Sequence, residues 1–170
     1  MDLKFARGLA AMALSLAAAA ASAQSTADLR NDAATPGDVT TYGMGWSLQR
    51  HTPLKRITPA NVKHLAPVWN LSLDNSTNAS NQPLVIDGVM YVASHTHTIA
   101  IDALTGRQKW KVAIELPNDI AGYLCCGIHT RGMAALNGVL YRTTIDAHVM
   151  AISMADGKVL ASGGSSVWNE

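Results

Sequence analysis

Two short blocks of sequence occur twice along this chain. Residues 87–91 (Asp-Gly-Val-Met-Tyr) are matched 50 residues later by 137–141 (Asn-Gly-Val-Leu-Tyr), and residues 100–106 are matched 51 residues later by 151–157. A period near 50 residues with several short strands per unit is typical of β-propeller blades, because each small sheet buries its faces by stacking on its neighbours. We therefore predict an all-β chain of one to two propeller blades. A sandwich of hairpins, which needs no strict repetition, is the alternative.

Each unit of the repeat contains short strand-like segments separated by turns. In the first unit, residues 83–92 form two β-rich runs hinged on Asp87-Gly88, which is the strongest short-range hairpin signal. Residues 98–102 and 107–110 flank a second turn at 103–106. The pattern therefore predicts four strands, and Trp110 at the end of the unit is the candidate for packing one blade onto the next.

The residues before the repeat predict little regular structure. Residues 24–41 are small, polar and interrupted by proline and glycine, so we expect a loosely structured arm. A short helix is predicted from Thr58, because threonine can cap a helix, Pro59 suits its first position, and Val62 and Leu65 fall on one face.

The second unit departs from the first at its end. Where the first unit has Trp110, the second has Ala161, followed by a Gly/Ser-rich run. Such a run has low strand propensity, so we expect an atypical tail over 161–170, produced by truncation or a frameshift. Two blades do not close a ring, and open sheet edges are prone to aggregation.

The N-terminal residues 1–23 have the layout of a secretory signal peptide. A basic start with Lys4 and Arg7 precedes an alanine-rich apolar stretch, and small residues lead up to Ala23. A spanning helix needs about 20 strongly apolar residues, more than this stretch offers. We predict cleavage after Ala23 and an exported product without a membrane span, whereas an uncleaved anchor is the alternative.

Length and charge restrict the possible domain organisation and binding partners. The predicted mature chain has the length of one domain, which we divide into an N-terminal arm and lead-in segment at 24–57 and a partial propeller at 58–160. The 13 basic and 12 acidic residues nearly balance. The chain therefore lacks the excess of basic residues that is typical of proteins that bind nucleic acid or an anionic membrane surface.

Cys125 and Cys126 are the only cysteines, and they are adjacent. Export would place them in a compartment that permits disulfides. A bond between neighbouring cysteines strains the intervening peptide and crosslinks almost no chain, so it would serve a functional site and not stability. Two unlinked, buried thiols are the alternative.

Few other residues suggest a site. Arg131 follows Cys126 by five residues, and a guanidinium can hold a carboxylate through two parallel hydrogen bonds, although a surface arginine is the commoner case. His95 and His97 alternate as if along a strand and would share one face, but no third metal ligand accompanies them. We assign no catalytic residue and no metal ligand.

Several segments resemble pyrroloquinoline quinone (PQQ)-dependent methanol and ethanol dehydrogenases. Residues 42–58, together with 61–62 and 68–69, resemble the first segment of that family. Residues 83–92 and 100–106 with Trp110 resemble its first tryptophan-docking blade, and residues 125–132 resemble its vicinal disulfide motif. The resemblance spans roughly residues 35–160.

The resemblance implies an eight-bladed propeller that holds PQQ near its axis, with Ca²⁺ or a lanthanide polarising the quinone. It implies a primary alcohol as substrate, an aspartate base, a periplasmic location, cytochrome c as electron acceptor and, in full-length members, a homodimer. By the same resemblance, Cys125 and Cys126 form a ring that packs against the PQQ plane, and Arg131 binds the cofactor's polar periphery. These three residues are the predicted cofactor-binding residues.

Two departures from the family pattern qualify this expectation. A glutamate that often touches PQQ is replaced here by Ser80. The family's metal ligands, catalytic aspartate and tryptophan floor correspond to positions beyond Glu170, so the resemblance predicts a chain that is inactive alone. A non-enzymatic, quinoprotein-like propeller scaffold of the cell envelope is the alternative, and the Cys-Cys-x4-Arg pattern argues against it.

Overall fold

A computed structural model describes residues 24–74 and 80–164, so the predicted signal peptide and the last residues of the predicted tail lie outside the described residues. Within these residues, helix α1 comes first, and eight strands and three short 3₁₀ turns follow it. These elements are α1 (Thr26–Arg30), β1 (Leu84–Ile86), β2 (Val89–Ala93), β3 (His97–Asp102), β4 (Gln108–Ala113), β5 (Met133–Leu136), β6 (Val139–Thr143), β7 (His148–Ser153) and β8 (Val159–Gly164), with the 3₁₀ turns Asp32–Ala34, Val62–His64 and Ile120–Tyr123.

The strands form two four-stranded antiparallel sheets, each in the simple order of the chain. We call β1 to β4 blade 1 and β5 to β8 blade 2. Neighbouring strands are joined by short connections within a blade, and a longer loop joins β4 to β5. This architecture confirms the prediction of an all-β chain that contains two blades.

The hairpin turns between the first two strands of each blade are equivalent. Asp87 and Gly88 have φ values of 50° and 73°, and Asn137 and Gly138 have φ values of 50° and 77°. A two-residue type I′ turn requires positive φ at both central positions, and Asp-Gly and Asn-Gly sequences tolerate this well. The hairpin prediction at Asp87-Gly88 is confirmed.

The turn between the third and fourth strands is also repeated. In blade 1 the Gly106 amide donates to the Asp102 carbonyl at 2.9 Å, and in blade 2 the Gly157 amide donates to the Ser153 carbonyl at 3.0 Å. Each blade has a register shift at the matching place in its third strand, after Ala100 and after Ala151. The sequence repeat is therefore a repeat of backbone hydrogen bonds.

Trp110 packs blade 1 onto blade 2, as the sequence predicts. Its indole Nε1 donates to the Met154 carbonyl at 3.0 Å, and its ring covers Gly157 so closely that a Cβ atom there would lie 2.8 Å from Trp110 Cε3. The Trp110 ring also meets the Tyr91 ring at a centroid distance of 5.9 Å. Only glycine fits beneath this indole.

Trp69, before the first blade, makes the same contact one unit earlier. Its Nε1 donates to the Ala103 carbonyl at 3.1 Å, and a Cβ atom on Gly106 would lie 2.6 Å from Trp69 Cδ2. The turn at the end of the third strand in each blade thus receives a tryptophan from the preceding segment.

The main hydrophobic core lies between the two blades. Its buried members come from both sheets, and Trp110 and Val112 pack at its edge: they are Leu84, Ile86, Tyr91, Ala100, Ala135, Leu140, Ile152 and Met154. A second, smaller cluster lies on the other face of blade 1, where Val92, Ile99 and Ile101 pack against Trp69 and its neighbours. Blade 1 therefore buries both faces.

The helix expected from Thr58 does not form, and residues Val62–His64 make only a 3₁₀ turn. Val62 and Leu65 are exposed, so no buried face supports a longer helix. The short N-terminal helix of the fold is instead α1, within residues expected to lack structure. Ser25 and Asp28 form a capping box, in which Ser25 Oγ accepts from the Asp28 amide at 3.3 Å and Asp28 accepts from the Ser25 amide at 2.7 Å.

The arm that carries α1 is tied to both blades. Val39 pairs with Val85 of β1 in an isolated antiparallel bridge. Gln24 is buried, its side chain donates to the Thr40 carbonyl at 3.1 Å, and its carbonyl accepts from the Asn137 amide at 2.7 Å. The expectation of a loosely structured arm is wrong for these residues.

Strand structure also continues past Leu160, where the composition predicted its loss. Strand β8 runs to Gly164 because Ala161 to Gly164 pair with Ala151 to His148 of β7. Backbone hydrogen bonds to β7 supply this pairing, and all six residues of the strand are exposed, so side-chain packing contributes little. In the described part of the chain, no helix is long and apolar enough to cross a bilayer.

Candidate cofactor site

The loop from β4 to β5 presents the two cysteines. After the 3₁₀ turn at Ile120–Tyr123, Cys125 and Cys126 lead into Gly127, whose φ of 84° turns the backbone sharply. His129 then folds back, and its Nε2 lies 2.7 Å from the Cys126 carbonyl oxygen. Since a carbonyl only accepts, Nε2 carries the proton, and the imidazole fixes the orientation of the Cys126 peptide group.

Cys125 and Cys126 are exposed and are free thiols in the structure, with their Sγ atoms 2.7 Å apart. The hydrogen bond with Cys125 raises the pKa of the Cys126 thiol, burial adds to the effect, and the positive charge of Arg131 opposes it. The two sulfur atoms therefore face each other at the surface of the loop.

Cys125, Cys126 and Arg131 line one cavity of about 280 Å³. The sequence singled out these three residues, and the structure brings them together. The other polar side chains of the wall include His95, His129 and Arg142, and none of the described aspartates or glutamates lines this cavity. The wall is therefore positively charged and suits an anionic ligand.

Arg131 also borders a second cavity of about 450 Å³, which it shares with Ser80. Arg50 and Tyr42 lie on the same wall, and the Arg50 guanidinium donates to the Tyr42 hydroxyl at 2.9 Å. Ser80, which stands where the family pattern often has a glutamate, thus lines the same cavity as Arg131, and no carboxylate from the described residues lines it.

Arg142 on β6 is a cavity residue that sequence reasoning missed. It is buried, and its guanidinium donates to the carbonyl oxygens of His97 and Ser94 at 3.0 and 2.9 Å and to Thr98 Oγ1 at 3.0 Å. Burial lowers its pKa to about 10. The signal that could have found it is the repeat itself, because the equivalent position 50 residues earlier is Val92.

The two histidines considered as metal ligands do not share a strand. His97 begins β3, whereas His95 lies in the turn before it, so the expectation that both project from one strand face is wrong. His95 borders the cavity of the cysteines, and His97 Nδ1 lies 2.9 Å from Thr96 Oγ1. Among residues 24–74 and 80–164, no group of three or more His, Cys, Asp or Glu side chains could hold a metal ion.

Comparison with known protein families shows to which family the chain belongs. The family model described as PQQ, glucose/ethanol/alcohol dehydrogenase, β-propeller domain, matches residues 40–166. The chain belongs to this family. The matched segment contains both blades and the loop that carries Cys125, Cys126 and Arg131.

The similar proteins within this family include quinone-linked and quinoprotein alcohol dehydrogenases. A 1-butanol dehydrogenase (quinone) of Thauera butanivorans is 41% identical over 153 residues, which cover 88% of this chain and 24% of that protein. A quinoprotein alcohol dehydrogenase of Pseudomonas putida is 37% identical over 161 residues, which cover 93% of this chain and 27% of that protein. The chain thus spans about a quarter of the length of these relatives.

Solved structures of the family share the fold of this chain. A quinohemoprotein alcohol dehydrogenase of Pseudomonas putida superposes with a TM-score of 0.81 at 30% identity, covering 85% of this chain and 21% of that one. A europium-containing methanol dehydrogenase gives a TM-score of 0.76 at 26% identity and covers 82% of this chain and 25% of that one. The two sheets are therefore blades of a PQQ dehydrogenase propeller.

Proposed function

We propose that this chain contributes to a PQQ-dependent alcohol dehydrogenase of the periplasm, which oxidises primary alcohols and passes electrons to a cytochrome c. In this proposal Cys125, Cys126 and Arg131 form one wall of the PQQ site. The observation that carries it is that these three residues, which match the family's cofactor motif, line a single cavity without a carboxylate. A 1-butanol dehydrogenase (cytochrome c) among the relatives, 33% identical, supports the choice of electron acceptor.

The chemistry of the cavity wall fits PQQ, which is flat and carries carboxylates. Bound PQQ would supply the two-electron acceptor for alcohol oxidation. The Arg131 guanidinium is suited to hold a carboxylate at the edge of the ring system through paired hydrogen bonds. Cys125 and Cys126 offer a compact sulfur-containing surface to its plane, and His129 holds the Cys126 carbonyl.

The family's metal, Ca²⁺ or a lanthanide, does not fit the residues described. A hard cation of this kind takes several oxygen ligands, largely from carboxylates, and the cavity of the cysteines contains no carboxylate. We therefore derive no step through a metal from this chain. The proposal leaves the metal ligands and the catalytic base to residues other than those described.

We also propose that Cys125 and Cys126 form a disulfide in the oxidising periplasm. Their Sγ atoms already face each other, and no other cysteine is present in the chain to compete. The test is a thiol titration of the mature chain, purified as a monomer from an oxidising compartment and denatured without reductant. We expect no free thiol. Two free thiols per chain would contradict the bond, and a Cys125→Ser variant with one reactive thiol controls for labelling.

Cofactor binding is tested directly with PQQ and the mature chain. Arg131→Gln should weaken binding about tenfold, since it removes a charged bidentate contact, while Arg107→Gln on an exposed turn of blade 1 should leave it unchanged. Quenching of tryptophan fluorescence during a PQQ titration measures both. Equal affinity of the two variants would contradict the proposed site and favour the scaffold alternative.

The chain alone is expected to show no alcohol-dependent dye reduction when given PQQ and Ca²⁺ or a lanthanide. The physical reason is that the residues proposed for the site bind and position the cofactor, and none of them is placed to remove the alcohol proton. Turnover with ethanol or methanol above that of free PQQ would show that this expectation is wrong.

A further inference from the structure

The guanidinium of Arg142 is a buried charge without a carboxylate partner among the residues described. Its side chain is 3% exposed, and neither ion pair found in residues 24–74 and 80–164 includes it. Its Nη atoms donate to blade 1, whereas the buried Nε has no hydrogen-bond partner in the described chain. Burying a charge without a counter-ion is costly, so this position has a reason to attract an anion.

The blade architecture does not require a cation at this position. The equivalent residue of blade 1 is Val92, which is buried and packs with Ile99 and Ile101. An apolar side chain therefore satisfies the same place in the same sheet. The charge of Arg142 is a departure from the repeat, and its cause lies in what surrounds blade 2.

The cavity beside Arg142 supplies such a cause. Arg142 and Arg131 line the same 280 Å³ space, with Arg131 exposed and Arg142 buried. No acidic side chain of residues 24–74 and 80–164 lines it, so none of these residues neutralises either charge there. Two guanidinium groups around one small space produce a positive potential that favours an oxyanion, more strongly near the buried group because water screens it less.

We propose that Arg142 is the buried cation of an oxyanion-binding site in this cavity, with Arg131 at its rim. The ligand is an oxyanion, either a carboxylate of PQQ or a free small oxyanion such as phosphate. The first source rests on the proposed function, whereas the second does not. Arg142 contributes charge from beneath the site while its Nη atoms stay bonded to the Ser94 and His97 carbonyls.

The test compares Arg142→Gln with Arg107→Gln in the mature chain. Both lose one positive charge, but Arg107 is exposed and lines neither cavity of Arg131. The probes are PQQ, the trimethyl ester of PQQ, and inorganic phosphate at millimolar concentration and constant ionic strength. Arg142→Val, which restores the residue of blade 1, serves in place of Arg142→Gln if the latter does not fold.

If the ligand is a carboxylate of PQQ, the parent should bind PQQ at least tenfold more tightly than the ester. Arg142→Gln should then lower the affinity for PQQ about tenfold, whereas Arg107→Gln should not. A free oxyanion predicts that phosphate raises the Tm of the parent and of Arg107→Gln but not of Arg142→Gln. If phosphate raises Tm as described but the PQQ affinities do not differ as described, the oxyanion site is supported and the proposal that this chain binds PQQ is contradicted.

The proposal is overturned if Arg142→Gln binds PQQ and phosphate as the parent does, or if the parent binds neither of these two ligands. Unfolding of both Arg142→Gln and Arg142→Val, seen by circular dichroism, would assign Arg142 a purely structural role and would also overturn it.

Discussion

Blades 1 and 2 have the same backbone and different surroundings. Each has an antiparallel order of four strands, a hairpin with two positive φ values and a shift in register in its third strand. Yet β7 of blade 2 has one buried residue, whereas its counterpart β3 of blade 1 has four. The two blades therefore share one sheet architecture, and the burial of matching strands depends on their neighbours.

Paired residues show the same contrast. Tyr91 of blade 1 is 4% exposed, and its repeat equivalent Tyr141 is 42% exposed. Trp110 packs onto the next blade, whereas its equivalent Ala161 is exposed and makes no such contact. A repeat protein gains most of its stability at interfaces between units, so blade 1 should be the more stable of the two.

Replacing Trp110 by alanine should have the largest effect on this contrast. The substitution removes the indole from Gly157 and the hydrogen bond to the Met154 carbonyl, and it should lower the free energy of unfolding by about 3 kcal/mol. Urea denaturation followed by circular dichroism measures the loss. Trp46→Ala is the control, since Trp46 is 66% exposed, and a similar loss in both variants would contradict an interface role for Trp110.

A shift to alkaline pH should change the contribution of Tyr91 to the stability of the folded protein. Burial, and then the charge of Asp87, raises the pKa of Tyr91 to about 12. Because the folded protein holds this proton more tightly than the unfolded chain, the stabilisation is complete below pH 10 and is lost as the pH rises toward 12.

At pH 11, Tyr91→Phe should therefore gain about 1 kcal/mol relative to the parent, compared with their difference at pH 8. Tyr141→Phe is the matched control, because it makes the same change at the repeat equivalent, which is 42% exposed. Denaturation curves at the two pH values give the result, and parallel behaviour of the two variants would erase the proposed difference between the blades.

Ala161→Trp should have the smallest effect. It restores the repeat's tryptophan at an exposed position for which the described residues provide no docking turn, so stability should change by less than about 0.5 kcal/mol. Thermal unfolding checks this. A clear gain in Tm would mean that residue 161 has a packing surface, and would weaken the contrast with Trp110.

The sequence predicted the elements whose cause is local. The Asp87-Gly88 hairpin and the tryptophan at the end of blade 1 follow from turn chemistry and periodicity. It also predicted which loop carries Cys125, Cys126 and Arg131, because the motif is contiguous.

The failures involve residues whose structure is decided by distant contacts. Gly/Ser residues in β8 are strand because β7 offers backbone partners, and propensity cannot register this. Arg142 is buried against the turn before β3, and its only mark in the sequence is the mismatch with Val92, the equivalent position of the repeat. The helix α1 is an exception, since the capping box of Ser25 and Asp28 is a local signal within a polar segment.

The hydrogen bond between the Asn137 amide and the Gln24 carbonyl has a consequence for the order of folding. Hairpins within a blade join nearby residues, whereas this contact closes a loop on the order of 100 residues long, which costs more chain entropy and forms more slowly. The arm emerges first during synthesis, yet its docking site exists only once the hairpin of blade 2 has formed. In pulse-labelling hydrogen exchange, the Asn137 amide should therefore become protected after the amides of the blade 1 hairpin.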